Sequence, residues 1–403
     1  MSDLRSDPPT PELKGNAPSM TIFRRLPVRA AVIGAVLVII VVAFGAGANA
    51  QYLYVGDSAL VAAIAAIGLN VLTGTAGQVS IGNAAFLGIG AYSAVLLDNH
   101  LPFLLVILIG GIASAIIGLA IGIPSLRLRG LYLVFSTLAL QFIASYAFTQ
   151  YDSDTGAIAG HVISTPKIGS LAISSELQWY VFLLIVLAII GVVVRSVLSG
   201  RPGRAWDAIR ANEASAAIIG VDVRRVKLSA FVFSSFIIGV SGVITAYFVQ
   251  NVSGDYFTLD MAVSYVAMIL IGGLGSIGGA IAGAVVVTAL PTVTTTISSD
   301  LFNASSSTSF VQTNLSAINT GIYGLLVLVF MFTEPRGLAG VARRIEARAT
   351  RFIDARRGRR HQPKPLGPPG VADDAARSGT RLPAAGSVLP AVTQGPAPQE
   401  NGL

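Results

Sequence analysis

The sequence predicts an all-α polytopic membrane protein with about ten transmembrane helices, within a range of eight to ten. Hydrophobic residues make up 53% of the 403 residues, charged residues make up only 12%, and the mean hydropathy is +0.72. Soluble domains carry about 25% charged residues, which excludes a soluble globular protein. Apolar runs close to the ~20 residues that span a bilayer recur along the chain. We place the spans near residues 29–49, 58–73, 83–98, 101–123, 130–150, 177–198, 227–250, 258–273, 279–298 and 317–333.

The first span follows a polar segment that carries Arg24, Arg25 and Arg29. A basic start before an apolar run is also typical of a signal peptide, and the triplet Ala48-Asn49-Ala50 has the small residues of a cleavage site. The apolar run is longer than a usual signal-peptide core. We therefore predict an uncleaved first helix, with cleavage as the alternative.

Basic residues follow the alternation of the spans. If the N-terminus is cytoplasmic, 26 of the 27 Lys and Arg residues lie inside and only Lys167 lies outside. This asymmetry fits the positive-inside rule and predicts a multi-pass protein of the bacterial inner (plasma) membrane with both termini cytoplasmic. It also explains the net charge of +7 without a nucleic-acid partner.

The same topology divides the chain into three regions. Residues 1–28 form a cytoplasmic tail, residues 29–340 form the transmembrane domain, and residues 341–403 form a second cytoplasmic tail. The second tail is basic at first and then rich in Pro, Ala and Gly. We expect it to be largely disordered, with its basic part attracted to the anionic lipids of the bilayer.

The longest polar insert between spans, residues 199–227, is predicted to be cytoplasmic and helical. Pro202 suits a first helical turn, Asn212 suits the N-cap of a second helix that starts with Glu213, and Gly220 suits its end. A single continuous helix is the alternative. In that helix one face would be formed by Trp206, Arg210, Glu213, Ala217 and Gly220. A solvated basic loop that only sets the topology is the plainest interpretation.

Two glycine-rich interruptions break apolar segments, one in each half of the chain. The first contains Gly74 and Gly77. The second contains Gly272, Gly273, Gly275, Gly278 and Gly279. Part of the second matches the dinucleotide fingerprint G-x-G-x-x-G, but that fingerprint needs a preceding β-strand, so we predict a break between two helices. Gly275, Gly279 and Gly283 also have the small-residue spacing of close helix packing.

Paired interruptions in two halves are a sequence pointer to a substrate path, because broken helices expose backbone groups to a polar cavity. The candidate path residues are Gln78, Ser80, Gly82, Asn83, Tyr92 and Gln141. The alternative is that the polar side chains among them only cap a helix and bond to its backbone.

The absence of several residue types and motifs limits the functions that the sequence allows. No Asp, Glu, Lys, Arg or His lies near the middle of a predicted span, and Asp57 is expected at an edge. Proton-coupled carriers generally need such groups, whereas a sodium-coupled carrier that uses backbone carbonyls stays open. The sequence also has no P-loop motif, no cysteine and only three scattered histidines. We therefore expect no nucleotide site of its own, no cofactor and no metal site.

Several segments in order resemble the signature of LivM-type branched-chain amino-acid ABC transporter permeases. They are Gly68-Leu-Asn70 through Tyr92, Arg129-Gly-Leu-Tyr132 through Leu140, residues 203–220, Gly272 through Gly279, and Glu334-Pro-Arg-Gly337. The likeness covers roughly residues 30–340. There are two departures. Asn83 stands where the family usually has histidine, and Ala157 replaces a glycine of a T-G-G-x-x-G pattern.

The resemblance implies a permease subunit, not an enzyme, in an ATP-driven importer for branched-chain or related small neutral amino acids. It implies four kinds of partner: a second homologous permease, two cytoplasmic ABC ATPases, an extracytoplasmic solute-binding protein and the lipid bilayer. It also implies an ATPase-coupling role for Arg210, Glu213, Ala214, Ala217 and Gly220.

Three alternatives stay open at this point. The first is a permease of the same family for urea, amides or another small solute. The second is an autonomous ion-coupled carrier. The third is a membrane scaffold with a lipid-binding tail, for which deletion of residues 342–403 would abolish function; we expect that deletion to be tolerated.

Overall fold

The computed structural model describes residues 50–125, 131–157, 159–169 and 171–302, with four isolated residues between 317 and 325. The predicted first span and both tails lie outside the described residues, as do nearly all of the tenth span and the basic turn at 127–129. Within the described residues the chain is built from α-helices. They are α1 (Ala50–Asn70), α2 (Asn83–Leu97), α3 (Phe103–Ser125), α4 (Leu131–Asp154), α5 (Glu176–Ser199), α6 (Arg201–Ala211), α7 (Glu213–Ile218), α8 (Val223–Val249), α9 (Leu259–Gly272) and α10 (Ile277–Phe302).

Two short elements extend or join these helices. A π-helical turn at Val71–Thr75 continues α1, and a 3₁₀ turn at Gly254–Tyr256 precedes α9. Four two-residue strands complete the described part: β1 (His161–Val162), β2 (Lys167–Ile168), β3 (Leu171–Ala172) and β4 (Asn251–Val252). β1 pairs antiparallel with β4, and β2 pairs antiparallel with β3. The outer loop predicted between α4 and α5 is therefore tied to the end of α8.

The helices confirm an all-α polytopic membrane protein. Five are long and apolar enough to cross a membrane, namely Tyr52–Thr75, Phe103–Pro124, Leu133–Asp154, Glu176–Ser199 and Val223–Val249. Three shorter apolar helices are Asn83–Leu97, Leu259–Gly272 and Ile277–Thr292. Each of the eight spans predicted within the described residues overlaps one of these helices. The total of ten also depends on the two spans outside them.

The start of α1 differs from the predicted start of its span, and this changes the position of Asp57. α1 begins at Ala50 and not near residue 58, so Asp57 lies inside the helix. We had expected Asp57 at the edge of a span, because a charged residue normally ends an apolar run. In the structure its side chain is fully buried.

The centre of the bundle is formed by α1 and α8. α8 packs on α1, α2 and α3, while α1 also packs on α5, α9 and α10. Of the spanning segment of α1, 78% is buried inside the protein, against 17% for α5. α5 is apolar on its exposed surface as well, for example at Val192, which fits contact with lipid.

Buried hydroxyl groups and glycines hold the central helices together. Ser234 of α8 donates to the Gly68 carbonyl of α1 at 2.7 Å, and Ser241 of α8 donates to Val61 O at 2.9 Å. A Cβ at Gly90 of α2 would collide with Gly239 O of α8. Such close backbone contacts and interhelical hydrogen bonds stabilise helices where lipid removes the usual hydrophobic driving force.

Candidate functional site

The two predicted glycine breaks meet in space. α1 ends at Asn70, and the chain passes through the π-helical turn and an irregular stretch before α2 begins at Asn83. In the second half, α9 ends at Gly272 and α10 begins at Ile277. A Cβ at Gly74 would collide with the backbone nitrogen of Gly275. Only a glycine fits at residue 74, because the backbones of the two breaks touch there.

Asn70 joins the two breaks by hydrogen bonds. Its Oδ1 accepts from Gly275 N at 2.9 Å, and its Nδ2 donates to Ser276 O at 2.9 Å. Its side chain is buried, so both bonds lie in a site where an unpaired polar group is costly. The sequence contained a signal for this residue, an asparagine in the middle of an apolar run, but we did not predict its role.

Positive φ angles explain why the breaks need glycine. Gly77 has φ +69°, Gly273 has φ +111° and Gly275 has φ +79°. Backbone in this region is strained for residues with a side chain. The second break contains fewer residues than predicted, because Gly278 and Gly279 already lie in the first turn of α10. The G-x-G-x-x-G match indeed joins two helices and follows no strand.

The glycine packing between α9 and α10 also differs from the predicted spacing. Gly272 packs against Gly279 O, and Gly283 packs against Met268 O. Gly275 lies in the break and takes no part in a helix interface of this kind. The reason is the turn itself, which places the end of α9 against the start of α10.

The polar insert forms two helices, α6 and α7, which we call the helix pair. Pro202 lies in the first turn of α6, and Asn212 between the helices has an extended backbone. Asn212 Oδ1 accepts from Ser215 N at 3.0 Å and so caps α7, while Gly220 has φ +89° after its end. The two-helix prediction is confirmed. The alternative of one continuous face from Trp206 to Gly220 is wrong, because the chain bends at Asn212.

Trp206 fixes the helix pair to the bundle. The side chain is 2% exposed, and its Nε1 lies 3.2 Å from Val226 O and 3.1 Å from Ser229 Oγ on α8, both of which can accept its hydrogen. Glu213, the first residue of α7, forms an ion pair with Lys227 of α8. The helix pair is thus held at the start of α8.

The helix pair also contacts both glycine breaks. A Cβ built at Gly77 would lie 3.2 Å from Arg210 Cγ, and one built at Gly275 would lie 3.3 Å from Arg210 Nη1. Gln78 Nε2 donates to Lys227 O at 3.1 Å, at the residue that pairs with Glu213. Arg210 and Glu213 therefore face the bundle and the breaks.

The other predicted coupling residues face away from the bundle. Ala214, Ala217 and Gly220 are exposed, and Ile218 and Ile219 beside them are 85% and 75% exposed. Ala216 is the buried residue of α7. The free surface of α7 is thus small and apolar. The two isoleucines were missed by the sequence analysis, although an Ile-Ile pair in a polar insert was a visible signal.

The candidate path residues of the first break are buried. Gln78, Ser80 and Asn83 are each nearly inaccessible, and Gly82 packs against Thr137 O, so residue 82 has no space for a side chain. Ser80 Oγ accepts from Gly82 N at 3.4 Å, a bond within its own turn. Three buried oxygens here lack any hydrogen-bond partner in the described residues, namely Thr73 Oγ1, Gln78 Oε1 and Asn83 Oδ1. Hydrogen-bond acceptors without donors are rare in protein interiors and call for an explanation.

A comparison with known protein families gives one match that covers most of the chain. A model for the family described as "Branched-chain amino acid transport system / permease component" matches residues 51–332. The chain belongs to this permease family. The match includes both breaks and the helix pair.

Individual relatives carry the same description. The high-affinity branched-chain amino acid transport system permease proteins LivM of Escherichia coli and Salmonella typhimurium are each 31% identical to this permease, over 53% of its chain and 56% of theirs. A probable LivM protein of Methanocaldococcus jannaschii is 28% identical over 45% of this chain and 52% of its own. The permease spans about half the length of the curated relatives it matches. No solved structure matches it.

The remaining two path residues of the permease, Gln141 and Tyr92, lie within α4 and α2. Gln141 is buried, with Oε1 accepting from Ala85 N and Nε2 donating to Phe257 O, both at 2.7 Å. Tyr92 donates its hydroxyl to Asp152 Oδ1 at 2.7 Å. Both side chains therefore join helices in this structure. A role for either in lining a path stays a prediction.

Asp152 is a buried polar centre that the sequence analysis missed. Besides Tyr92, its carboxylate accepts from Gly254 N at 2.8 Å and lies 3.2 Å from His161 Nε2. The Tyr92 ring stacks on Phe148, with ring centroids 4.5 Å apart. This cluster ties β1 to the ends of α2 and α4. Sequence spacing gave no signal, because its members come from four separate segments.

A polar cavity opens at the same end of the permease. It has a volume of about 560 Å³ and includes a carboxylate, Asp98, and an ammonium group, Lys167, in its lining. Asp98 accepts from Ser164 N at 3.0 Å and from Ser164 Oγ at 2.7 Å, which fixes the rim. Its size is within the range of small-molecule sites. Among the described residues, no group of three His, Cys, Asp or Glu side chains could hold a metal ion.

Proposed function

We propose that this chain is the permease subunit of an ATP-driven importer for branched-chain or related small neutral amino acids. Its partners are a second homologous permease, two cytoplasmic ABC ATPases and an extracytoplasmic solute-binding protein. The helix pair lies on the cytoplasmic side of the inner membrane and receives the motion of an ATPase. The chain itself binds no nucleotide. Family membership and the names of the relatives support this assignment.

One observation carries the proposal: Arg210 of the helix pair packs against both interruptions of the membrane helices. Arg210 contacts Gly77 of the first break and Gly275 of the second, and Gln78 is bonded to the backbone of Lys227. A displacement of α6 must therefore change the position of at least one break. Broken helices are where alternating access is commonly built, since their free backbone groups line the path.

The exposed surface of α7 supports docking to an ATPase. Ala214, Ala217, Ile218 and Ile219 present small and branched apolar side chains to solvent at the tip of the helix pair. Burying one isoleucine side chain is worth about 1.5–3 kcal/mol. Two adjacent exposed isoleucines at the C-terminal end of a six-residue helix fit a groove on a partner protein better than they fit water.

The chemistry of the bundle supports a small zwitterion with an apolar side chain as the cargo. Gln78 Oε1 and Asn83 Oδ1 accept no hydrogen bond from the described part of the chain, so they suit an N–H or ammonium group. The first break carries no charged side chain that would select a charged solute. At the opposite end, Asp98 and Lys167 supply both signs of charge in one cavity.

The coupling role is tested by replacing Ile218 and Ile219 together with aspartate in the assembled transporter. If each isoleucine contributes about 1.5 kcal/mol or more, association with the ATPase weakens at least about 100-fold, since 1.4 kcal/mol corresponds to tenfold. Co-purification with the ATPase and uptake into proteoliposomes are measured separately. Val162→Asp is the matched control, because Val162 is also 85% exposed but lies on β1.

Two outcomes would contradict the proposal. ATPase association and uptake that survive in the Ile218→Asp/Ile219→Asp variant would remove the docking surface. Substrate uptake by the purified permease reconstituted alone, without an ATPase, would establish an autonomous carrier. Uptake of urea or an amide in place of leucine, isoleucine and valine would keep the importer but change the cargo.

A further inference from the structure

Asp57 is a buried carboxylate without hydrogen-bond donors. Its side chain is 0% exposed, and neither Oδ1 nor Oδ2 has a hydrogen-bond partner among the described residues. Asp152, the other buried aspartate described above, accepts hydrogen bonds from Tyr92 OH and Gly254 N. An ionised carboxylate that is buried without such partners is strongly disfavoured. Asp57 therefore needs a neutralising species.

The group that faces Asp57 is a second carboxylate. Glu176 is the first residue of α5, which packs on α1, and a Cβ built at Gly56 beside Asp57 would lie 3.2 Å from the ring of Tyr180, one turn after Glu176. Like charges in contact make the ionised form of Asp57 still less favourable. The arrangement fits an acid and a carboxylate that share one hydrogen bond, with the proton as the missing component.

The other helices that pack on α1 supply no cation at this height. The titratable residues near the same end are Tyr52 and Tyr54 on α1, Tyr247 on α8, and Asp260 and Tyr265 on α9. α10 has no titratable residue from Ile277 to Ser299. The cations of α5 and α8, namely Arg195, Arg224, Arg225 and Lys227, lie near the helix pair, at the other end of helices that are 24 and 27 residues long.

The sequence as a whole confirms this shortage of cations. No Lys or Arg occurs between Arg29 and Arg127, and none occurs between Lys227 and Arg336. At the Glu176 end of the bundle, the described basic residues are His100, Lys167 and His161. The first two line the polar cavity with Asp98, and His161 pairs with Asp152. The neutralising species for Asp57 must come from solvent.

We propose that Asp57 is a proton-binding site, in which the Asp57 carboxyl group holds a proton taken from water and donates it in a hydrogen bond to the Glu176 carboxylate. No bond other than O–H forms or breaks, and the proton returns to water when the site empties. A bound Ca²⁺ or Mg²⁺ ion would require six or more oxygen ligands. No group of three metal-ligating side chains occurs among the described residues.

A proton at Asp57 makes the contact between α1 and α5 sensitive to pH. With the proton in place, the two carboxyl groups carry one negative charge and one hydrogen bond. Without it, two buried or half-buried negative charges face each other, and the helices repel. The contact is therefore weakened when the pH rises far enough to remove the proton.

Infrared spectroscopy of the purified full-length protein tests the site directly, because a protonated carboxyl group has a C=O stretch that a carboxylate lacks. We expect this band at pH 7 in the wild type and its loss in Asp57→Asn, which keeps the shape of the protonated acid. Asp98→Asn is the matched control. Asp98 accepts hydrogen bonds from Ser164 N and Oγ, so we expect its replacement to leave the band unchanged.

The outcomes are distinct. A wild-type spectrum at pH 7 without a protonated-carboxyl band, or a band that persists in Asp57→Asn, overturns the proposal. A band present in choline chloride but lost in sodium or potassium chloride also overturns it, in favour of a metal cation. If Asp57→Asn does not fold, Glu176→Gln provides the test. Its amide can donate to Asp57, so the band must disappear at a lower pH than in the wild type, and an unchanged titration contradicts the site.

Discussion

Replacing Asn70 with leucine removes the side chain that joins the two glycine breaks while keeping a similar volume. The Gly275 N–H and the Ser276 carbonyl then lose partners that lie 2.9 Å away in the wild type. Each buried polar group left without a partner costs about 1–3 kcal/mol. Two such groups lower the free energy of unfolding by about 2–6 kcal/mol. The total free energy of unfolding of a typical protein is about 5–15 kcal/mol.

Asn70→Asp separates the two hydrogen bonds. Aspartate keeps an acceptor for Gly275 N, but its second oxygen faces Ser276 O and cannot donate. The assay is thermal unfolding of the purified protein in lipid nanodiscs, followed by its tryptophan fluorescence, together with uptake by the assembled transporter. Ser58→Ala is the control on the same helix, because Ser58 Oγ donates only to Tyr54 O of its own helix. We expect that control to stay within about 0.5 kcal/mol of the wild type.

The result that refutes this reasoning is an Asn70→Leu variant that unfolds at the wild-type temperature and transports normally. Equal unfolding temperatures for Asn70→Leu and the control Ser58→Ala would mean that the hydrogen bonds between the breaks contribute nothing measurable. A lower unfolding temperature with normal transport would make Asn70 a residue of stability only.

Three further predictions concern single contacts. Gly74→Ala should prevent normal folding or sharply lower the unfolding temperature because its Cβ collides with Gly275 N, whereas Gly278→Ala, with open space around its Cβ, should be neutral in the same melting experiment. Asn212→Ala removes the cap of α7 and should cost about 0.5–2 kcal/mol, read as faster amide hydrogen exchange confined to that helix. Gln141→Leu leaves two buried backbone groups unpaired and should destabilise the protein by about 2–6 kcal/mol, whereas an unchanged melting curve would show that these groups find water.

Local sequence patterns were sufficient to predict the approximate positions of the helices and breaks. The glycines at 74, 77, 273 and 275 were recognisable because each break needs either a close backbone contact or a positive φ. Asn212 was recognisable as a cap because a short polar side chain followed by an acidic residue is the usual start of a helix. These features depend on a few neighbouring residues only.

Contacts between distant segments could not be predicted in the same way. Asn70 is bonded to residues 205 and 206 positions further along the chain, and no local pattern fixes that pairing. The direction of Arg210 was equally hidden, because its contacts with the breaks follow from the packing of α6 on α8, which Trp206 fixes. The burial of Asp57 was missed because its helix was expected to start after it, although the helix starts at Ala50.

The single extended residue between α6 and α7 has a mechanical consequence. A helix of six residues has little stability of its own, so α7 keeps its position through the Asn212 cap and the Glu213–Lys227 ion pair. Rotation about the φ and ψ angles of Asn212 changes the tilt of α7 without moving α6. Translation is different, because Trp206 anchors α6 on α8. A tilt of α7 about Asn212 therefore strains the Glu213–Lys227 ion pair, whereas a displacement of α6 acts on the breaks through Arg210.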